Sequence, residues 1–207
     1  MFRRRQWVEL EDLPWWPAPW RDAGTAFLAL ALRLSGHASV LAARIEQMVA
    51  RTGEQGVLDL GSGGGGPMAT VAAQAPDLRI VLSDLYPNQA SLRAVSGPNV
   101  DFVPSPIDAT AVPRDLPGLR TMINAFHHLP PAAARAVLAD AVAARRPIAI
   151  YEVVSRSPVH LVAMCASPLS FALTLPLQRP LRPWNWLFTY ALPVLPAFVQ
   201  WDGIVSW

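Results

Sequence analysis

The stretch QGVLDLGSGGGGP, from Gln55 to Pro67, carries the strongest indication of the fold of this chain. Its first half is a short apolar run, residues 57–60, which is typical of a buried parallel strand and is interrupted only by Asp59. Its second half is nearly all glycine, so the backbone can turn tightly and a ligand can lie directly against it. Residues 68–75 are predicted to form a helix whose first N–H groups point toward the turn. We interpret the stretch as a strand–turn–helix cradle for a nucleotide.

The position of Asp59 indicates which kind of nucleotide fits. Gly61, Gly63 and Gly66 match the G-x-G-x-x-G spacing, which alone is weak support for a dinucleotide site. A carboxylate two residues before the first glycine would repel a pyrophosphate, whereas a cationic amino-acid ligand would tolerate it. An NAD-dependent oxidoreductase with the same fold remains an alternative.

The segment V-L-D-L-G-S-G-G-G resembles motif I of the class I S-adenosylmethionine-dependent methyltransferases. This resemblance implies S-adenosyl-L-methionine as the cofactor and methyl transfer to a small molecule as the activity. It also implies that the acid and the glycine turn surround the methionine part of the cofactor. The positions carried over are Asp59, Gly61, Ser62, Gly63, Gly64 and Gly65.

Two further acids, Asp84 and Asp108, follow the second and third predicted strands, where a nucleotide site would use them. A second buried strand is predicted over residues 78–82, and Asp84 follows it at about the spacing at which an acid meets a ribose diol. A carboxylate suits that role because it accepts hydrogen bonds from both hydroxyls. The resemblance places Leu85 against the adenine ring, and Asp108 with Ala109, after a third strand at 100–103, near the adenine amino group. Asp108 is alternatively an ordinary turn residue.

The fourth predicted strand, residues 120–124, ends in the sequence INAFHHLPP. Ligands bind at the carboxyl ends of parallel strands, so Asn124 is a candidate contact for the amino-acid part of the cofactor. His127 and His128 are candidate catalytic bases, since imidazole titrates near neutral pH. Alternatively, one histidine caps the helix predicted over 132–144. No metal site is predicted, on the premise that adjacent side chains diverge and no third ligand is evident.

Strands and helices alternate regularly up to the fifth predicted strand, residues 147–154. This pattern predicts an α/β fold, a three-layer αβα sandwich with a Rossmann-like, mostly parallel sheet. The resemblance covers residues 55–154, the predicted cofactor-binding core. The sheet of the family normally ends with two more strands, and no convincing pair follows residue 154.

Residues 1–54 form a first segment, rich in tryptophan and proline near its start. The prolines predict an extended chain up to Trp20. Helices are predicted over 22–34, with Asp22 as the cap, and over 39–50. Elements ahead of motif I often fold over the cofactor in such methyltransferases, which makes this segment a candidate lid. Its tryptophans alternatively pack on the outside of the domain.

Residues 155–207 form the last segment, which is almost free of charge. Between residues 157 and 201 only Arg179, Arg182 and His160 carry or can carry a charge. Each apolar run approaches the length that crosses a bilayer, but repeated prolines argue against a full span. The alternatives are a substrate cover, a membrane-associated hairpin and plain core. A membrane-associated binding protein with an inactive cofactor site is therefore a second alternative function.

Composition adds only broad limits. The chain has 207 residues and a formal charge of +2, and all 17 of its basic residues are arginine. Arginine without lysine indicates a coding bias, so no nucleic-acid partner is predicted. The single cysteine, Cys165, allows no internal disulfide and fits a reducing compartment. The start of the chain lacks a secretory pattern, and the predicted location is cytoplasmic. The sequence leaves the oligomeric state open.

Overall fold

A computed structural model describes residues 7–13, 15–153, 155, 157–179 and 181–206. The chain divides into two compact units. One comprises residues 28–152, and the other combines the described parts of 1–27 and 153–207. Helix α1 (Ala18–Leu34) crosses the boundary between them.

The unit of residues 28–152 is an alternating α/β structure. Its elements are α2 (His37–Thr52), β1 (Val57–Leu60), α3 (Gly66–Ala72), β2 (Ile80–Ser83), α4 (Gln89–Val95), β3 (Val100–Phe102), β4 (Leu119–Ile123), α5 (Pro131–Ala143) and β5 (Ile148–Tyr151). The predicted strands and helices of this unit are all present, with ends that differ by a few residues. The predicted end of the fifth strand, Val154, lies outside the described residues.

The five strands form one parallel sheet in the order β3-β2-β1-β4-β5. The chain runs outward from β1 to β3 and then returns to place β4 on the other side of β1. The carboxyl ends of β1 and β4 therefore flank the point where the strand order reverses, which is where open sheets of this kind bind ligands. The αβα, Rossmann-like fold class predicted from the sequence is confirmed. Among the described residues, no further strand follows β5.

Both faces of the sheet are covered, as the apolar strands require. Because side chains alternate along a strand, Val57 joins one core and Leu58 the other. Residues of α2, α3 and α4 contribute to the first core, and Val137 of α5 to the second. Asp59 shares the face of Val57, so its carboxylate enters a buried layer beneath the glycine turn.

Gly65 shows how tightly that turn is packed against the sheet. Its φ is +75°, and a Cβ at this position would lie 2.8 Å from Leu82 Cδ1 and 2.8 Å from Val95 Cγ2. Gly65→Ala should lower the free energy of unfolding by about 2–4 kcal/mol, since it combines left-handed strain with overpacking. Gly63→Ala is the matched control: its φ is +54° but no atom lies within 4 Å of the added Cβ. Strain alone should cost Gly63→Ala about 1 kcal/mol in a urea titration. Equal losses would contradict the packing argument.

The unit that contains residues 153–207 is helical. It holds α6 (Pro158–Thr174), α7 (Pro183–Trp186) and α8 (Val194–Ser206), with a 3₁₀ turn at Leu175–Leu177 and a π-helical turn at Leu187–Ala191. Phe171 and Leu175 of the α6 region pack with Leu195 of α8 and with Ala23 of α1 in one apolar cluster. The N-terminal segment joins this unit through Asp202, whose carboxylate accepts hydrogen bonds from the N–H groups of Leu10 and Glu11, at 2.7 and 3.1 Å.

The prediction of an extended chain up to Trp20 is wrong for residues 18–20. They form the first turn of α1, which begins at Ala18 rather than near Asp22. Pro17 precedes this helix and Pro19 lies in its first turn, where the backbone N–H has no helical partner to lose. Pro14 lies outside the described residues, as do residues 1–6. The lid role of residues 1–54 stays a prediction.

Candidate functional site

The glycine turn leaves β1 at the point where the strand order reverses. Gly61 lies beside the end of β4, since a Cβ on it would approach the Cβ of Ala125 to 3.2 Å. Gly63, in contrast, borders open space. The turn therefore packs against the end of β4 at Gly61 and is accessible to a ligand at Gly63. A ligand could reach its backbone there without displacing a side chain.

Asp59 lies under this turn and is only 3% exposed. Its Oδ2 accepts a hydrogen bond from the hydroxyl of Ser62 at 2.8 Å, and its Oδ1 accepts one from the hydroxyl of Thr121 at 2.7 Å. The second bond follows from the sheet register, because Asp59 and Thr121 are partners on β1 and β4. The hydroxyl of Ser62 also accepts a bond from the N–H of Ser83 at 3.2 Å. Both predicted cofactor contacts, Asp59 and Ser62, thus have side chains that hold the turn from below.

Burial raises the pKa of Asp59 to about 7. The hydrogen bonds from Thr121 and Ser62 act in the opposite direction, and the nearby charge of Asp84 raises the pKa further. A carboxyl group with this pKa is partly ionised at neutral pH. A cation bound at the turn would favour the ionised form, because opposite charges stabilise each other.

Asp59→Asn should change how stability depends on pH. In the unfolded chain Asp59 has a pKa near 4, below its folded value of about 7, so the folded state retains a proton that the unfolded state has lost. The wild-type free energy of unfolding should therefore fall as the pH rises from 4 to 7, by roughly 2–4 kcal/mol from this group.

The asparagine variant should lack this part of the decrease. Asp202, whose pKa burial also raises to about 7, adds a decrease of the same sign, and Asp202→Asn serves as the separate control. Urea titrations across this pH range measure both. A wild-type curve parallel to that of Asp59→Asn would show that Asp59 is not perturbed.

Asp84 follows β2 and faces the glycine turn. Its Oδ2 accepts a hydrogen bond from the N–H of Gly63 at 2.8 Å, and its Oδ1 accepts one from the N–H of Tyr86 at 2.8 Å. A carboxylate has about four lone-pair positions, so it can accept further bonds from a ligand while keeping these two. Asp84, together with the fraction of Asp59 that is ionised near neutral pH, gives the glycine turn a negative charge.

The residues predicted around an adenine ring lie along the neighbouring loops. Leu85, two residues after the end of β2, is 43% exposed. The loop after β3 is tied to this region, because the N–H of Ile107 donates to the carbonyl of Asp84 at 2.8 Å. Asp108 uses its Oδ1 to accept from the N–H and the hydroxyl of Thr110, so it is at least a turn residue. The adenine contacts of Leu85, Asp108 and Ala109 stay predictions.

Asn124 ends β4 with a φ of +50°, a left-handed conformation that asparagine tolerates better than most residues. Its N–H donates to the carbonyl of Tyr151 at 2.9 Å, so the pairing with β5 continues one residue beyond the strand. The chain then turns sharply into the 3₁₀ turn Phe126–His128. This turn starts next to Ala125, the residue that borders Gly61.

Glu152 organises that 3₁₀ turn. Its Oε1 accepts hydrogen bonds from the N–H groups of Phe126 and His127, at 3.0 and 3.2 Å, and its Oε2 lies 2.5 Å from Nδ1 of His127. A carboxylate at Nδ1 selects the neutral tautomer that carries its proton there and places the basic lone pair on Nε2. The His127–Glu152 pair thus has the arrangement of a base and its orienting acid.

His128 stacks on His127, with ring centroids 4.3 Å apart and planes inclined by 30°. The premise that the two adjacent side chains diverge was therefore wrong, because a 3₁₀ turn brings these neighbours together. The absence of a metal site stays a prediction. Of the two histidines, His127 is the better candidate base, since Glu152 orients it.

Sequence reasoning missed two residues of this site. Thr121 was assigned only to a strand, although the register of β1 and β4 places its hydroxyl on Asp59. Glu152 falls within the predicted fifth strand, residues 147–154, and the sequence pattern gives it no role. A usable clue existed: β4 and β5 are parallel neighbours, so an acid just after β5 lies beside the histidines just after β4.

Comparisons with known proteins show a similarity in structure but none in sequence to a known family. No protein-family model and no curated protein matches the sequence. Among solved structures, the chain is similar to an O-methyltransferase family protein from Burkholderia thailandensis, at a TM-score of 0.46 and 20% identity. The match covers 85% of this chain and 52% of that one, so this chain spans about half the length of that protein.

Proposed function

We propose that the chain is an S-adenosylmethionine-dependent methyltransferase that acts on a small, apolar or amphipathic molecule. The observation that carries this proposal is the position of Asp84: its carboxylate holds Gly63 at the open side of the glycine turn, at the point where the strand order reverses. A carboxylate in this position is suited to accept hydrogen bonds from the two hydroxyls of a ribose.

The charge of the turn supports this cofactor over NAD. Asp59 and Asp84 are close enough to influence each other, and both are acids. A pyrophosphate would add negative charge to this place. The ammonium and sulfonium groups of S-adenosylmethionine carry positive charge instead, which outweighs its one carboxylate, and the partly protonated Asp59 would respond to that charge by losing its proton.

The residues of this chain would then divide the work as follows. Asp84 would hold the ribose hydroxyls, the backbone around Gly63 would lie against the amino-acid part, and Asn124 would border it from the end of β4. When bound, the cofactor supplies an activated methyl group on sulfur. The protein has mainly to align the acceptor and exclude water, effects that remove several kcal/mol of barrier in other enzymes.

His127 would remove a proton from an oxygen or nitrogen acceptor. Its Nε2 would take the proton, and Glu152 at Nδ1 would stabilise the imidazolium that forms. Glu152 would also keep the ring in place, because the same carboxylate accepts the N–H groups of the turn. General bases placed in this way contribute about 10²–10⁴-fold in rate.

The test is methyl transfer from S-adenosylmethionine labelled at the methyl group to a panel of small apolar phenols, alcohols and amines. We expect label in at least one acceptor, with a rate that saturates in the cofactor. Cofactor binding without label in any acceptor would leave the chain a binding protein and would contradict the proposed activity.

A further inference from the structure

Helix α6 carries a long apolar face that none of the residues described by the structure covers. Pro158–Leu177, which includes the 3₁₀ turn, has 20 residues, and an 18-residue window within it has a mean hydropathy of 1.5 with only 17% of its residues buried. Among the described residues it is the one single helix long and apolar enough to cross a membrane; α1 and α2 pass only as a bent pair. The exposed aliphatic residues form a stripe: Val159, Val162, Leu169, Leu173 and Leu177, each between 53% and 76% exposed.

The spacing of these five residues places them on one side of the helix. They follow one another at intervals of three, seven, four and four residues, which is the repeat of a single helical face. Phe171 and Leu175, on another face, are fully buried against Leu195 of α8 and Ala23 of α1, which belong to the same unit. A water-facing helix normally carries polar residues on its outer side. Here both sides are apolar, so the outer one needs a cover.

The charges around the stripe indicate what covers it. No acid occurs between residues 157 and 201, and Arg179 and Arg182 follow directly after the helix. Both arginines are exposed, and Arg182 lies 6.0 Å from the ring centroid of Trp184. Arginine beside tryptophan just past an apolar stretch suits the phosphate level of a lipid bilayer.

The aromatic residues that follow continue this surface. Trp186 and Tyr190 are 44% and 53% exposed, and their rings are 5.5 Å apart. The hydroxyl of Tyr190 donates to the carbonyl of Ala172 in α6 at 2.7 Å, which fixes this pair beside the stripe. Leu187 and Leu192, about half exposed, enlarge the apolar area. Amphipathic rings of this kind favour the membrane interface.

The acids of this unit lie on elements other than α6. Asp202 belongs to α8 and binds the backbone of Leu10 and Glu11, so the acidic turn that includes Glu11 and Asp12 is attached to α8. Residues 157–201 therefore combine an uncharged stripe with two arginines and contain no acid. This charge pattern complements an anionic lipid surface.

We propose that α6 docks this unit on an anionic lipid bilayer. The stripe lies in the interface, with Arg179 and Arg182 at the level of the lipid phosphates and Trp186 and Tyr190 beside them. Pro168 inside the helix and the packing of α8 along it favour a helix lying in the interface over one that spans it. This inference does not depend on the proposed methyl transfer.

Flotation with vesicles tests the proposal on the full chain. The vesicles are phosphatidylcholine with about a quarter phosphatidylglycerol by mole, which gives them a strong negative surface charge. They should carry the wild-type protein upward in a density gradient. The variant Val162→Glu/Leu169→Glu should reduce the bound fraction at least tenfold. Val142→Glu is the matched control, an exposed valine (77%) of α5 in the other unit, and it should float like the wild type.

The arginines are tested separately through lipid charge. Arg179→Gln/Arg182→Gln should lose most of the preference for anionic over pure phosphatidylcholine vesicles, whereas Arg51→Gln/Arg135→Gln, exposed arginines of α2 and α5, should keep it. Circular dichroism and thermal unfolding confirm that each variant is folded. Two results would overturn the proposal: no binding of the wild-type protein to either vesicle, or a dimer in light scattering that Val162→Glu/Leu169→Glu dissociates without any change in lipid binding.

Discussion

His127→Ala should lower kcat by about 10²–10⁴-fold with an oxygen acceptor, while the affinity for S-adenosylhomocysteine stays unchanged. The expected loss is large because Nε2 of His127 is the basic atom that Glu152 orients, next to the turn that would hold the cofactor. Initial rates at saturating cofactor and calorimetric titration of the product measure the two quantities. His37→Ala, an exposed histidine of α2, is the control and should leave both unchanged.

Glu152→Gln tests what the charge of Glu152 contributes while the imidazole ring of His127 is still present. The amide oxygen of glutamine can still accept the N–H groups of Phe126 and His127, but the side chain no longer carries the charge that stabilises an imidazolium. We expect a smaller loss of kcat than for His127→Ala and a shift of the imidazole tautomer, visible in ¹⁵N spectra. Full turnover in His127→Ala with an oxygen acceptor would contradict the assignment, and a larger loss in His128→Ala would move it to the neighbouring ring.

Asp84→Ala should weaken the binding of S-adenosylhomocysteine about 10- to 100-fold, which corresponds to roughly 1–3 kcal/mol. The substitution removes the proposed ribose acceptor and also the acceptor that positions the N–H of Gly63 at the open side of the turn. Titration calorimetry at pH 7 gives the dissociation constants.

Asp101→Ala provides the comparison for Asp84→Ala. Asp101 is on β3, its side chain is 75% exposed, and its contact with Arg79 is long, at 3.9 Å. Its loss should leave the affinity within twofold of the wild-type value, since exposed pairs of this kind contribute little. Equal affinities in the wild type and Asp84→Ala would place the ligand somewhere other than the glycine turn.

The sheet was predictable because each of its strands corresponds to a short, mainly apolar run in the sequence, bounded by glycine, proline or acidic residues. Val57–Leu60 and Leu119–Ile123 are entirely buried, and a run with apolar residues on both faces fits little else. The start of α1 was not predictable from proline alone. Proline breaks a helix in its interior but is tolerated in its first turn, and a single sequence does not say which of the two applies at Pro17 and Pro19.

The acids of the site were easier to locate than their contacts. The positions of Asp59 and Asp84 follow from the number of residues that separate each of them from Gly61. In a strand–turn–helix unit this number determines where a residue lies relative to the turn. What each carboxylate contacts depends on neighbours that are distant in the chain. Thr121 reaches Asp59 through strand register, and Glu152 reaches His127 across two strand ends. Neither pairing can be derived before the strand order is known.

Asp59 also illustrates why a motif and a contact differ. The resemblance to motif I implies a residue that serves the cofactor, and the structure shows a carboxylate whose two oxygens are bound to Ser62 and Thr121. Its influence on a ligand would then be exerted through charge and through the shape of the turn rather than by direct contact of the side chain. The raised pKa near 7 makes that influence sensitive to pH in the physiological range.

We propose that the glycine turn, with Asp59 and Asp84, accepts a cationic sulfur cofactor and not a dinucleotide. Calorimetric titration of the wild-type chain with S-adenosylmethionine and, separately, with NAD tests this most directly. We expect saturable binding of S-adenosylmethionine that weakens below pH 7, as Asp59 becomes protonated, and no detectable binding of NAD. Saturable binding of NAD without binding of S-adenosylmethionine would show that the glycine turn is a dinucleotide site.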